Sequence, residues 1–293
     1  VKHFTTAKKI SKNTLFEIFD LAKTLELAAP EIRLGQPLRG FVLANLFYEP
    51  STRTSSSFYA AMAKLGGSCI PINEVKYSSI TKGENLEDTI RTMGSYADVI
   101  VLRSLNAGDA EIAANVSSVP IINAGDGAGE HPTQTLLDLY TIWQKYGRLE
   151  NNLTITLMGD LANGRTIHSL LEVFKMFNLK IQLVSPDCLA APFRYGNGVN
   201  IFSSAVLTKN ICAQTDVLYM TRVQEERGST GSYELTKEDV SNLKEDMIVM
   251  HPFPRNKEIP RWFDNDKRAV YFQQMKNGLF IRMALLQKIL LNC

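Results

Sequence analysis

The chain has 293 residues, enough to bury the cores of two α/β domains. Apolar residues make up 45% and charged residues 21%, and 32 Lys and Arg against 30 Asp and Glu leave a formal net charge of +2. Without a basic run or a basic stripe interleaved with aromatics, that balance argues against nucleic acid as a partner, and no stretch approaches the roughly 20 apolar residues of a membrane span.

Leu15, Ile18, Phe19, Ala22 and Leu25 share one face of a predicted helix over 13–27. Residues 41–47 read as a buried strand running directly into a helix that opens at Thr52. That helix carries Phe58, Met62 and Leu65 on one face and ends at Gly66-Gly67. A polar loop follows over 73–82. Next come a helix over 86–93, a buried strand over 99–102, a helix over 109–114, a strand over 119–122 and a Gly-rich loop over 123–129. Pro132, suited to a first helical position, opens a long amphipathic helix with Leu136, Leu137, Leu139, Tyr140 and Trp143. Near Gly147 the pattern restarts. Strands over 153–158, 180–184, 217–220 and 247–250 alternate with a helix over 165–177, and a last helix covers 279–291.

Strands alternating with helices predict right-handed crossovers and an α/β fold of two doubly wound domains, each a parallel β-sheet flanked by helices. The first is expected over 1–146, with the C-terminal helix 278–293 packing back on it, and the second over 147–277. Cys69, Cys188, Cys212 and Cys293 lie far apart without a CxxC pair, and the four histidines are scattered. No metal site is expected, and the thiols fit a reduced, cytoplasmic protein. Residues 1–10 lack a signal-peptide core. Because the chain starts at Val1, a processed presequence or excision from a longer polypeptide stays open.

Chemistry-bearing groups cluster just after the strands, where open α/β sheets bind ligands. Ser51-Thr52-Arg53-Thr54 follows the first strand and opens a helix, a ready anion site with a planar guanidinium fork. Arg103 follows the second strand, and the Gly-rich loop delivers His131 and Gln134. In the second half Arg165 opens a helix, Arg222 and Gln224 follow one strand, and His251-Pro252-Phe253-Pro254-Arg255 follows another. So many cations at strand ends, without an equal set of acids, point to a polyanionic ligand. His131, directly before Pro132, meets the positive end of a helix dipole, which favours a neutral imidazole able to donate to a carbonyl oxygen.

Gly159-Asp160-Leu161-Ala162-Asn163-Gly164-Arg165-Thr166 fits the nucleotide phosphate loop except that arginine replaces lysine and Asp160 adds a carboxylate. It reads better as a turn aiming Arg165 at a carboxylate. No G-x-G-x-x-G follows a strand, so a dinucleotide fold is disfavoured.

Together, Ser51-Thr52-Arg53-Thr54, His131-Pro132-Thr133-Gln134 and His251-Pro252-Phe253-Pro254-Arg255 resemble the aspartate/ornithine carbamoyltransferase family from about residue 4 to Leu291. Residues 78–89, 123–134, 221–227 and 271–274 resemble its aspartate branch. The ornithine branch typically carries HPCQ and HCLP, where this chain has Thr133 and Phe253-Pro254. The chain also departs from many relatives at Ser104-Leu105, Ala162 and Phe253, and Ser55 stands where bacterial relatives often carry arginine. None of these removes a residue assigned to chemistry.

The resemblance implies carbamoyl transfer from carbamoyl phosphate to L-aspartate without a cofactor, with an ornithine-type activity or a silent scaffold as the alternatives. Ser51, Thr52, Arg53 and Thr54 would bind the phosphate. Thr54, Arg103 and His131 would approach the carbonyl oxygen, and Gln134 would hold the amide. Arg165 would take the α-carboxylate of aspartate, Arg222 and Gln224 the β-carboxylate, and backbone carbonyls at Phe253 and Pro254 the amino groups, around a cis bond. Ser78 and Lys82 would come from a neighbouring subunit of a homotrimer with shared active sites, and Glu49 with Arg227 would stabilise domain closure. Regulatory chains or fused pathway enzymes are further partners that the family admits.

Overall fold

The structure, a computed structural model, describes residues 3–28, 35–72, 83–127, 129–150, 153–192, 200–223 and 233–291. The chain forms two compact units: Val1–Leu137 with Lys276–Cys293, and Asp138–Met275.

In the first unit helix α1 (Lys12–Leu27) is capped by Ser11, whose hydroxyl accepts from the Thr14 amide, and buries the apolar face read from its periodicity. Strand β1 (Val42–Phe47) leads to α2 (Thr52–Lys64), then come β2 (Ser68–Ile72), α3 (Leu86–Gly94), β3 (Val99–Ser104), α4 (Asp109–Val116), β4 (Ile121–Asp126) and the start of α5 (Pro132–Tyr146). All strand pairs are parallel, in the order β2-β1-β3-β4. β1 and β3 are covered on both faces and so read as nearly continuous apolar runs. Ala44, Leu46, Ile100 and Leu102 pack there with Ile90 and Ile121. Edge strand β2 escaped the sequence reading because Ser-Cys-Ile-Pro-Ile is short, half-exposed and interrupted by Pro71. β4 runs to Asp126, so half of the expected 123–129 loop is strand.

The second unit contains β5 (Thr154–Met158), α6 (Arg165–Phe174), β6 (Lys180–Val184), β7 (Asn200–Ser204), α7 (Lys209–Gln214), β8 (Val217–Met220), α8 (Lys237–Asn242) and β9 (Ile248–Met250). These strands are also parallel, ordered β7-β6-β5-β8-β9. Met158, Leu218, Met220, Val249, Ile259, Phe263 and Tyr271 form its core. Helix α9 (Tyr271–Leu291) starts well before the expected residue 279. Gly278 lies inside it, where an added Cβ would stand 2.5 Å from Arg282 Nη1 and 3.0 Å from Leu137 Cδ2. A glycine there serves close packing rather than termination.

Both sheets reverse strand order beside a central strand: β1 against β3 in one unit, β5 against β8 in the other. Ligands bind beyond the carboxyl ends of strands at such switch points. Among the described residues no helix is long and apolar enough to cross a membrane, and no cluster of three or more His, Cys, Asp or Glu could hold a metal.

The start of α2 is tied to β1 by Asn45, fully buried, whose Nδ2 donates to the Ser55 carbonyl at 3.3 Å and to Ser55 Oγ at 3.1 Å. Asn45→Ala removes both bonds and leaves a buried gap, and is expected to cost about 1–3 kcal/mol, read from urea unfolding. An unchanged midpoint would contradict the tether.

Candidate active site

In the first unit the chain leaves β1 through Tyr48-Glu49-Pro50 and enters α2 at Ser51, whose side chain makes no capping bond to the helix. The first turn holds no acidic residue, Thr52 and Arg53 are exposed, and Thr54 is buried. Hydroxyls and a guanidinium thus crowd the positive end of a helix dipole, an arrangement that attracts an anion.

Arg103, near the end of β3, is buried, so its guanidinium requires partners. Its Nε donates to Glu49 Oε2 at 2.6 Å, and its Nη1 donates to the Ala124 carbonyl at 2.9 Å and to His131 Nε2 at 3.2 Å. A guanidinium can only donate, so Nε2 accepts and the imidazole carries its proton on Nδ1, neutral. Gly125, at φ +120°, makes room: a Cβ there would lie 2.7 Å from Arg103 Nη1. The approach to His131 is fixed by Asp126, whose carboxylate accepts from the Gly108 amide at 2.9 Å and the Glu130 amide at 2.7 Å. Gln134, largely buried in the first turn of α5, donates its main-chain N–H to the His131 carbonyl at 3.0 Å.

In the second unit the turn after β5 is held from within. Asp160, fully buried, accepts from the Asn163 amide at 3.0 Å and its Nδ2 at 3.3 Å. The turn's own carboxylate therefore takes up the Asn163 amide, a kind of donor that a nucleotide phosphate loop turns on its phosphates. Gly159, at φ +123°, lets the ends of β5 and β8 approach, since a Cβ would sit 2.2 Å from the Thr221 carbonyl. Arg165 opens α6 and Arg222 follows β8, both half-buried.

The loop after β9 has a cis Phe253–Pro254 bond and Phe253 at φ +55°. The Phe253 amide donates to His251 Nδ1 at 2.9 Å, so the ring proton is on Nε2, 2.9 Å from Glu258 Oε1. Burial pushes the Glu258 carboxyl up. Hydrogen bonds from His251 and the Asn256 amide outweigh it and hold the group below its ordinary range. Arg255 grips Asp264 bidentately, with Nη1 on Oδ1 and Nη2 on Oδ2 at 2.9 Å. The Phe253 ring lies 5.8 Å from both Tyr271 and Phe272.

Acids thus accompany three of the cationic or titratable groups that the sequence presented without them: Glu49 on Arg103, Glu258 on His251 and Asp264 on Arg255. In the first unit the structure places Ser51, Thr52, Arg53 and Thr54 at the start of α2, and brings Arg103 and Gln134 to His131. It places Arg165, Arg222, Phe253 and Pro254 after strands of the second. Ser78, Lys82, Gln224 and Arg227 lie outside the described residues. Glu258 and Asp264 escaped the sequence reading because only tertiary packing marks them.

Two family models match the chain: the carbamoyl-P binding domain of aspartate/ornithine carbamoyltransferase over residues 2–144, and its Asp/Orn binding domain over residues 151–289. The aspartate carbamoyltransferase catalytic subunit of Archaeoglobus fulgidus is 44% identical, covering 99% of this chain and 100% of that one. Multifunctional protein ura1 of Schizosaccharomyces pombe is 46% identical over 97% of this chain, which spans 13% of that relative's length. A crystal structure of aspartate transcarbamoylase from Trypanosoma cruzi, in complex with carbamoyl aspartate and phosphate, superposes with a TM-score of 0.92. It is 42% identical, covering 99% of this chain and 96% of that one.

Hydrogen bonds from Arg255, and then from Tyr271, outweigh burial and hold the Asp264 carboxyl below its ordinary 3.8. A carboxylate depressed by folding stabilises fully above its unfolded pKa and loses that contribution as pH falls through the folded value. The wild type should therefore lose stability progressively below about pH 4. Asp264→Asn should be less stable at neutral pH with a flatter acid limb, read by denaturant unfolding at several pH values. Parallel acid limbs would contradict the pairing.

Proposed function

This chain belongs to the aspartate/ornithine carbamoyltransferase family, and we infer that it transfers the carbamoyl group of carbamoyl phosphate to the amine of L-aspartate, yielding N-carbamoyl-L-aspartate and phosphate for pyrimidine biosynthesis. The observation that carries the reading is the Arg103 guanidinium, hydrogen-bonded to His131 at the β1/β3 switch point that also bears the Ser51–Thr54 helix start.

Ser51, Thr52, Arg53 and Thr54 receive the phosphate at the helix dipole. Thr54, Arg103 and His131 face the carbonyl oxygen, and Gln134 holds the carbamoyl amide. Arg165 takes the α-carboxylate of aspartate, Arg222 and Gln224 the β-carboxylate, and the Phe253 and Pro254 carbonyls orient the amino groups. The amine nitrogen forms a bond to the carbonyl carbon. The carbon–oxygen bond to phosphate then breaks, and the departing phosphate takes the amine proton. No cofactor enters, because the carbamoyl group arrives activated. Each donor aimed at the developing oxyanion contributes about 3 kcal/mol, and alignment by the arginine clamps supplies much of the rest. Glu49, on Arg103 in this structure, would have to leave it to stabilise domain closure with Arg227.

The reading extends to a cytoplasmic homotrimer in which Ser78 and Lys82 complete a neighbour's active site. Fusion to other pathway enzymes, as in the multifunctional relatives, or association with regulatory chains is compatible with it.

Supplied with carbamoyl phosphate and either L-aspartate or L-ornithine, the protein should yield N-carbamoyl-L-aspartate and phosphate. Citrulline, or no product from an assembled oligomer, overturns the reading. His131→Ala is expected to lower kcat by about 10²-fold or more, the cost of one oxyanion donor, and to leave the pH–rate profile shallow. A titration that disappears with the imidazole would make His131 a base instead.

A further inference from the structure

Asp138 is a fully buried carboxylate in the middle of α5. Its Oδ2 accepts from the Tyr219 hydroxyl at 2.7 Å and its Oδ1 from Gln274 Nε2 at 2.7 Å. Gln274, in the first turn of α9, then uses its Oε1 to accept from the His251 amide at 2.9 Å. All four residues are about 1% exposed or less. The relay therefore runs through water-excluded space, where unmatched donors or acceptors are costly.

The direction of this relay is fixed at the main chain. The His251 N–H can only donate, so the Gln274 amide must turn its oxygen towards it and its NH2 towards an oxygen of Asp138. The result pins the main chain where it leaves β9 for the Phe253–Pro254 loop. The second oxygen pins β8 two residues before Thr221 and three before Arg222. Asp138 and Gln274 also flank the two places where the chain passes between its compact units, at Leu137–Asp138 and Met275–Lys276.

Well-packed apolar residues often serve stability as well as a buried charge does. What an apolar pair could not do is set the orientation of the Gln274 amide. We propose that Asp138 and Gln274 are positioning residues for the aspartate half of the site, aligning the ends of β8 and β9 so that Arg222 and the Phe253–Pro254 carbonyls meet one ligand. The proposal rests on the functional reading above.

The relay can be reversed without being removed. In Asp138→Asn alone, the introduced amide turns its NH2 either on Gln274, where two donors meet, or on the Tyr219 hydroxyl, which must then accept where it donated, so one tie of the relay is broken or reversed. In Gln274→Glu alone, two carboxylates compete for one proton. In the double variant the introduced asparagine accepts from Tyr219 and donates to the introduced glutamate, whose other oxygen accepts from His251, so all three hydrogen bonds return.

Each single variant is expected to raise the KM for aspartate about 10-fold or more while the KM for carbamoyl phosphate stays within about twofold, and the double variant to recover most of the loss. Protection of the His251 amide in hydrogen exchange, which needs no turnover, should fall in the singles and return in the double. Tyr219→Phe, a milder change, should raise the aspartate KM by a smaller factor and keeps the test available if a single variant folds poorly. A double variant no better than the worse single, in both KM and exchange, overturns the proposal, as does a loss shared equally by the two substrates. A wild type that makes no carbamoyl aspartate while the exchange pattern holds would instead sink the functional reading and leave the relay standing.

Discussion

A parallel sheet carries the carboxyl ends of its strands to one edge, and each unit of this chain places its chemistry under that constraint. In the first unit β1 ends at the helix start of Ser51–Thr54 and β3 at Arg103. In the second, β5 ends at the turn to Arg165, β8 at Arg222 and β9 at the Phe253–Pro254 loop. Residues far apart in sequence share one sheet edge because right-handed crossovers return every strand in the same sense. The strand ends are also where glycines allow tight approaches. Gly125 admits the Arg103 side chain, and Gly159 admits the Thr221 carbonyl.

Charge satisfaction supplies the precision that topology alone lacks. A buried guanidinium without acceptors is strongly destabilising, so the three acceptors around Arg103 leave it few orientations. His131 thereby accepts at Nε2 and stays neutral, with its one N–H at Nδ1, the atom that its proposed role as a donor to a carbonyl would use. The 251–255 loop is built on the same logic, its two ends fastened by His251–Glu258 and Arg255–Asp264. His251 and Arg255 carry acids in those pairs, and Arg165 and Arg222 are the guanidiniums proposed for the carboxylates of aspartate. In the proposed site, hydroxyls and a helix dipole would meet the phosphate, while guanidiniums would meet carboxylates. Each unit is matched to the anion it is proposed to hold.

The sequence disclosed the buried central strands best, because both faces of β1, β3 and β5 are covered and their residues form plain apolar runs. It hid β2 and β7 at the sheet edges, where Pro71 and the serines of Asn-Ile-Phe-Ser-Ser erase any alternation. The six-residue helices α7 and α8 are too short for a periodic signal and are betrayed only by Thr208 and Thr236 at their caps. Ser51–Thr54, Arg103 and His131 stood out in the sequence because hydroxyls, a guanidinium and an imidazole directly after apolar strands are an unusual local pattern. Glu258, Asp264, Asp138 and Gln274 were not, since an acid or amide that serves a distant partner looks like any other polar residue. Their partners lie 7, 9, 81 and 23 positions away, respectively, separations that carry no local pattern.

The central claim is a division of labour, with carbamoyl phosphate held by the first unit and aspartate by the second. Calorimetric titration of carbamoyl phosphate into the wild type, Arg53→Ala and Arg222→Ala proteins tests it most directly. The account predicts that Arg53→Ala abolishes measurable binding, while Arg222→Ala binds carbamoyl phosphate as the wild type does and yet turns over poorly with aspartate. Equal loss of carbamoyl phosphate binding in both variants, or its full retention in Arg53→Ala, would contradict the account.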